Sequence, residues 1–515
     1  MQAYSNKMSN GHQALRLTRP LATGLFRASL MAGLMASLMI SPSKAFLATV
    51  SRTSDAPLPT AVVAAFQQAQ VPLHAVSILI TPLSLTDAAK STPSKPRLAH
   101  RASAEMNPAS VMKLITTSAG LSMLGPDFTW RTRVLMDGPV VNGVLQGNLY
   151  VKGSGDPKLV VERLQSLLQD VMAKGLLDVK GDIILDGSVF DLPSKNAASF
   201  DDEPLRPYNV APQGLLLNFN ALLFKFTPDV AQGVAKVESE PPLANVQWPS
   251  SVPLSAGGCQ DWRGQLRADF SHPDSIRFNG TYPSTCGEQK WPVAYVQPNS
   301  FAPRMVQAVW AQLGGKLQGQ VRHGLTPAHA TLWHEGLSLP LSDIVADINK
   351  FSNNVMAQQL FLTLSSQQGS GSFENSRPLV LQWWRQHLGD QKPPVLDNGS
   401  GLSREERSNA QALSALLQLA ARSPYADALH NSLAIAGVDG TAARLKDRLP
   451  QSVAIGRARL KSGSLKDVAS LAGYVEGLSG QRYVFVVIVN HPHANAARPA
   501  LDKLLEWTVD DQKKS

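Results

Sequence analysis

Apolar side chains recur at helical spacing in 57–70, 159–174, 409–422 and 496–511, and each stretch predicts an amphipathic helix. Runs such as Val76-Ser-Ile-Leu-Ile-Thr81, Gly181-Asp-Ile-Ile-Leu-Asp186 and Gln481-Arg-Tyr-Val-Phe-Val-Val-Ile-Val489 are shorter and bounded by polar residues, so they predict strands, as do 457–464 and 468–475. Two strand-like runs, 131–136 and 143–152, flank Asp137-Gly138 and predict a hairpin. From 342 to 362 a helical pattern breaks at Ser352-Asn353-Asn354 and resumes at Val355, which predicts two helices with a polar joint, the first capped by Ser342. Residues 88–104 read as a polar connection, and 303–313 as a helix opened by Pro303. Between about 190 and 330, prolines, tryptophans and short β-like runs such as 235–239 alternate, the pattern of one or two small β-rich modules rather than a linker.

At 515 residues the chain exceeds one compact core, and 43% hydrophobic with 17% charged residues is a globular composition. Residues 1–45 carry five basic side chains and no acidic one. An apolar run from about 28 to 40 follows, and then Ser43-Lys44-Ala45. Basic, apolar, then small is the pattern of a secretory signal peptide, so the mature chain is expected in the periplasm. The alternative, a membrane anchor, fits less well because the run is short for a bilayer and Pro42 interrupts it. Removing the leader lowers the formal charge from +9 to +4. That balance suits an anionic envelope polymer and leaves a peripheral membrane contact open. No Lys/Arg stripe with interleaved aromatics supports nucleic-acid binding. The two cysteines, Cys259 and Cys286, bracket 26 residues, and in an exported chain a disulfide closing that loop is expected.

Three short strings carry candidate chemistry. In Asn107-Pro-Ala-Ser110-Val-Met-Lys113 a hydroxyl and an amine lie one helical turn apart at a helix start. A buried, neutral lysine there could take the serine's proton, since burial disfavours the ammonium. Ser352 and Asn354 at the polar joint could aim a hydroxyl and an amide in one direction. In Lys461-Ser462-Gly463-Ser464 a strand would bring a cation and a hydroxyl to one edge, with the Ser464 N–H available to an oxyanion. Each string alone is weak. Ser-x-x-Lys recurs at Ser41-Pro-Ser-Lys44 and Ser-x-Asn at Ser194-Lys-Asn196, and Lys113 or Lys461 alone also reads as a surface lysine. Asp397-Asn-Gly-Ser-Gly-Leu402 is a tight turn without a phosphate-loop pattern, so no cofactor is called for. His334-Glu335 and His491-Pro-His493 lack metal-ligand spacing, so no metal is assigned.

Taken in order, Ser110-x-x-Lys113, Ser352-x-Asn354 and Lys461-Ser462-Gly463 resemble the motifs of the penicillin-binding, active-site serine DD-peptidases. The closest resemblance is to the D-alanyl-D-alanine carboxypeptidase/endopeptidase family of low-molecular-mass class C penicillin-binding proteins. Leu124-Gly-Pro-Asp-Phe128, Gly155-Asp-Pro157, Asp397-Asn-Gly-Ser-Gly-Leu-Ser403, Ala436-Gly-Val-Asp-Gly-Thr441 and Lys461-Ser-Gly-Ser-Leu465 support it. So do the 242 positions between Ser110 and Ser352, where that family inserts domains. Ser462 stands where the wider superfamily has threonine, and the hydroxyl is kept.

The resemblance implies an α/β (α+β) fold: a serine β-lactamase/DD-peptidase-like catalytic domain, 46–128 and 330–515, split by two β-rich inserted domains over 129–329. The inner one, about 225–300, would hold both cysteines. It also implies roles. Ser110 would be the nucleophile, Lys113 its base and Ser352 a proton relay. Asn354 would bind a substrate amide, Lys461 and Ser462 the terminal carboxylate, and the N–H groups of Ser110 and Ser464 the oxyanion. The substrates would be peptidoglycan stem peptides, cut as a carboxypeptidase or an endopeptidase, with β-lactams as acylating ligands. A β-lactamase or esterase on the same fold, or a scaffold without turnover, are the competing readings.

Overall fold

A computed structural model describes residues 57–85 and 95–512. The proposed leader, with Ser41 and Lys44, lies outside the described residues. Arg482–Asn490 is buried along nearly its whole length, and its odd and even positions face different cores. Tyr483, Phe485, Val487 and Val489 join one apolar cluster, while Val484, Val486 and Ile488 join another. A strand covered on both faces needs this unbroken apolar run, and it forms the middle of a sheet with helices on either side. The sheet runs Ala434–Ile435, Ala458–Leu465, Val468–Glu476, Arg482–Asn490, Val76–Pro82 and Leu98–His100, with every neighbouring pair antiparallel. Helices Thr60–Gln68 and Arg498–Val509 cover the first face, and Lys113–Leu124, Phe373–Leu388 and Ala410–Ala420 the second.

The chain between 129 and 337 builds three further sheets of four or more strands. Arg131–Met136 pairs with Leu149–Lys152, as the hairpin pattern predicts, in a five-stranded sheet with Ile183–Asp186, Val321–His323 and Thr331–Leu337. The short strands Val140–Val141 and Val144–Leu145 leave that hairpin for a four-stranded sheet. A third sheet, centred on Ala221–Asp229 and Val234–Glu240, carries an aromatic core in which Phe226 stacks on Tyr282 and meets Trp262 edge to face. Cys259 and Cys286 are bonded to each other beside it. Among the described residues no helix is long and apolar enough to cross a membrane.

Several sequence expectations are corrected. The polar connection at 88–104 contains the edge strand Leu98–His100, whose backbone pairs with Val76–Pro82. Ser342 does not cap its helix: Leu341–Phe351 starts one residue earlier, after Pro340. Pro303 lies inside Pro298–Gln312, where Pro298 takes the first turn. Proline at 303 removes the N–H that would bond the Asn299 carbonyl, and His323 Nε2 lies 2.9 Å from that oxygen instead. Phe373–Leu388 has no counterpart in the periodicity reading, although Val380, Trp383 and Trp384 sit at helical spacing and Ser372 caps it by accepting from the Asn375 N–H at 3.1 Å.

The helix Lys113–Leu124 is the pivot between sheet and site. Leu114 is fully buried in the cluster that also holds Phe361, Trp384 and Leu413. Leu114→Ala should cost roughly 2–5 kcal/mol through lost burial and the cavity left behind, read from the urea midpoint by tryptophan fluorescence.

Candidate active site

Asn107 shapes the chain entering the site. Its Oδ1 accepts the Ala109 N–H at 2.8 Å, its Nδ2 donates to the Ser403 carbonyl at 2.9 Å, and its backbone exchanges two bonds with the Asn490 side chain at 2.8 Å each. The turn that results puts Ala109 at φ +47° and Ser110 in the 3-10 segment Ala109–Met112. The α-helix proper starts only at Lys113, so Pro108 caps the short turn and is not the α-helix's first residue.

Lys113 has no solvent exposure. Its Nζ donates to Ser110 Oγ at 3.0 Å, Asn354 Oδ1 at 2.6 Å and the Ser400 carbonyl at 2.5 Å. Burial pushes its pKa down to about 7, with the Glu406 charge acting in the opposite direction. The lysine can therefore lose its proton near neutrality, within hydrogen-bond reach of a serine hydroxyl.

The polar joint supplies two more groups. Ser352 follows Leu341–Phe351 in a left-handed conformation, φ 58° and ψ 37°. Asn353 then caps Asn354–Ser366 through its side chain, accepting the Met356 N–H at 3.1 Å. That change of direction aims Ser352 Oγ at Lys461 Nζ, 2.8 Å away. Asn354, by contrast, is engaged at both ends: Oδ1 accepts from Lys113, and Nδ2 donates to the Tyr208 carbonyl at 3.2 Å. Gln359, one turn further along and fully buried, donates to the carbonyls of Gly155 and Gln213 at 3.1 and 3.0 Å. The 129–337 segment is thus tied to the helix that steadies the lysine.

From the sheet, Lys461 is also fully buried, between Ser352 Oγ and its neighbour's carbonyl, Ser462 O, at 2.7 Å. Burial holds its pKa well below the ordinary lysine value, and the Lys113 charge adds to the effect. Gly463 allows this strand to meet the serine turn. A Cβ there would clash with Ser470 Oγ and stand 2.6 Å from the Pro108 carbonyl and 3.1 Å from the Ser110 nitrogen. Ser462 and Ser464 face the other way, into a cavity of about 270 Å³ that also reaches Ser110 and Ser352. Ser462 Oγ bonds Thr441 Oγ1 at 2.7 Å, and Arg498 Nη2 donates to Ser464 Oγ at 2.9 Å.

Residues 85–509 match the D-Ala-D-Ala carboxypeptidase 3 (S13) family. The chain belongs to that family. It is accordingly a serine-type D-Ala-D-Ala carboxypeptidase. It is 26% identical over 394 residues to D-alanyl-D-alanine carboxypeptidase DacB of Haemophilus influenzae, covering 74% of this chain and 80% of that protein. To the D-alanyl-D-alanine carboxypeptidase of Actinomadura sp. it is 28% identical over 416 residues, 76% of this chain and 74% of the other. The crystal structure of penicillin binding protein 4 (dacB) from H. influenzae superposes with a TM-score of 0.68 at 23% identity, covering 86% of this chain and 99% of that one, which shows the shared fold. The same protein is also solved complexed with a β-lactam.

The structure brings the predicted residues together as two bonded sets, Ser110–Lys113–Asn354 and Ser352–Lys461, and Ser110 and Ser352 share a cavity wall with Ser462 and Ser464. Four contributors escaped the sequence reading: the carbonyls of Ser400 and Tyr208, Thr441, and Arg498. Backbone acceptors leave no mark in a sequence, and Arg498 lies on a helix that periodicity identifies only as core packing. Because Gly463 is where strand and serine turn touch, Gly463→Ala should displace Ser110 by a fraction of an ångström to an ångström. Hydrolysis of a D-Ala-D-Ala peptide, followed by D-alanine release, should fall on the order of 100-fold while the protein stays folded by circular dichroism.

Proposed function

We propose that the enzyme cleaves D-alanyl-D-alanine termini of peptidoglycan stem peptides through an acyl-enzyme on Ser110. The observation that carries this reading is Lys113, fully buried, 3.0 Å from Ser110 Oγ and with a pKa near 7. Neutral Lys113 takes the Ser110 proton as Oγ attacks the penultimate D-alanine carbonyl. The N–H groups of Ser110 and Ser464 receive the oxyanion, a contribution of roughly 3 kcal/mol per donor in other enzymes. The C–N bond then breaks as Ser352, beside Lys461, delivers its proton to the departing amine and recovers one from Lys113, so the proton taken from Ser110 ends on the leaving group and Lys113 is neutral again. Water attacks the ester, returns the proton to Oγ and frees the shortened peptide. A β-lactam carbonyl enters the same first step. Its leaving group stays tethered, so the acyl-enzyme persists, in keeping with the β-lactam complex of the H. influenzae relative.

The terminal carboxylate is assigned to the cavity that Ser462 and Ser464 line. Lys461 is fully buried and engaged by the Ser352 hydroxyl and the Ser462 carbonyl, so the half-buried Arg498 joins Lys461 and Ser462 in that role. Among the described residues Arg498 has no acidic partner within ion-pair distance. Asn354, with both ends engaged, serves first to seat Lys113, and contact with a substrate amide requires it to exchange the Tyr208 bond. The leader at 1–45 would export the chain to the periplasm, and 129–329 would form the inserted domains that carry the acyl-side surface. Endopeptidase action on cross-links is part of the proposal, because both activities cut after D-alanine and differ only in what lies beyond it.

Intact mass before and after benzylpenicillin tests the nucleophile directly. The wild type should gain one penicillin mass and Ser110→Ala none. A folded wild type that gains no mass and consumes no penicillin overturns the reading, and rapid penicillin consumption points to a β-lactamase. The acylation rate should rise with pH through about 7 as Lys113 loses its proton, and level off above it. Arg498→Gln should reduce kcat/KM about 10-fold or more, the worth of a charge-assisted bond, on a peptide with a free terminal carboxylate but not on its carboxamide.

A further inference from the structure

The loop at 397–403 touches both the serine turn and the lysine, and a single buried side chain holds its amide face. Glu406 has no solvent exposure. Its Oε1 accepts from the backbone N–H groups of Asp397 at 3.2 Å, Asn398 at 3.1 Å and Gly399 at 2.8 Å, and its Oε2 from Gly401 at 2.8 Å. All four partners are donors. A protonated carboxyl would have to aim its hydrogen at one of them, so the bonding pattern is that of a carboxylate. Burial pushes its pKa up, and the backbone donors oppose that.

With its amides turned to Glu406, the loop presents its carbonyls to the catalytic helix. Ser400 O accepts from Lys113 Nζ at 2.5 Å, and Gly399 O from Thr116 Oγ1 at 2.6 Å. Gly401, at φ +80°, lies so close to the serine turn that a Cβ would stand 2.7 Å from Ser110 Cα. We infer that Glu406 is a positioning residue for the Ser110–Lys113 pair: it fixes the loop that seats the lysine and places a buried negative charge opposite it. This rests on the proposed role of Lys113 as base. The other charges around the lysine are few. Lys461 faces it from the strand, the Asn354–Ser366 helix offers the neutral Asn354 and Gln358, and Asp397, paired with Arg377 at 3.3 Å, acts on Glu406.

The sign follows from the charges. The carboxylate favours the ammonium form of Lys113, so removing it leaves more neutral amine at lower pH. The experiment is the pH dependence of the acylation rate constant with a fluorescent penicillin in the wild type, Glu406→Gln, Glu406→Asp and Asn398→Ala. Asn398 braces the same loop without charge, its Oδ1 accepting the Ser400 N–H at 3.0 Å and Ser400 Oγ–H at 2.6 Å. Glu406→Gln should lose at least about 10-fold in plateau rate, because its amide faces an N–H, and shift the acid-limb midpoint down by about one pH unit. Asn398→Ala should lose rate with its midpoint unmoved, and Glu406→Asp, which keeps the charge, should do the same.

Rate constants are read on the folded, acylating molecules, so a fraction of misfolded protein does not disturb them. Should Glu406→Gln not fold at all, Glu406→Asp carries the test. A midpoint lowered in Glu406→Asp as far as the charge-removal shift would overturn the inference. So would a Glu406→Gln enzyme with wild-type rate and midpoint, or one that loses rate with its midpoint unmoved, as in a mere loop brace. A wild type with no acid limb near pH 7 would instead overturn the role of Lys113, separately from that of Glu406.

Discussion

The structure depends on keeping one lysine out of water. Desolvation opposes the ammonium form of Lys113, and three acceptors converge on its nitrogen from three separate parts of the chain: Ser110 one turn before it, Asn354 from the polar joint and Ser400 from the glycine-rich loop. Each acceptor is itself held in place. Ser110 is fixed by the Asn107 turn, Asn354 by the Tyr208 carbonyl, and Ser400 by a loop whose amides close on Glu406. Burial is what lets this lysine be neutral near physiological pH, where an ordinary surface lysine stays protonated, and the three acceptors fix where its nitrogen sits.

A second lysine makes the arrangement asymmetric. Lys461 is equally buried, and the two ammonium groups disfavour each other's charge. Only Lys113 has a buried carboxylate acting on it, and Lys461 is held instead by neutral oxygens, the Ser352 hydroxyl and the Ser462 carbonyl. The two amines therefore stand in different electrostatic settings. The proposed mechanism uses one to exchange a proton with Ser110, 3.0 Å away, and the other to polarise Ser352, 2.8 Å away. On the cavity wall, the half-buried Arg498 beside Ser464 adds a guanidinium whose charge does not depend on the state of that buried pair.

What could be read in the sequence was what repeats or has fixed spacing. The central strand Arg482–Asn490 and the two helices that meet at Ser352 show in the pattern of apolar positions, since each buries a continuous face, and the start of the serine helix shows in the Ser-x-x-Lys spacing. The family resemblance rested on Ser110, Lys113, Ser352, Asn354, Lys461 and Ser462, and family membership stands on a match over 85–509. Other features were hidden for physical reasons. The Leu98–His100 strand is three residues of edge pairing in a polar stretch, too short for periodicity to register. Phe373–Leu388 carries Arg, Asn, Gln and an internal proline on its outer face, which dilutes the signal of Val380, Trp383 and Trp384. Glu406 is one of two adjacent glutamates, and only the fold buries the second.

The protonation state of Lys113 is the quantity on which everything else turns, and it can be measured without substrate. Lysine labelled with 13C at Cε, titrated by NMR in the wild type, with the Lys113 signal assigned by its loss in Lys113→Arg, gives the pKa directly. A midpoint near 7 is what burial beside Ser110 predicts. A midpoint near the ordinary lysine value of about 10.4 would contradict it and leave Ser110 without a base.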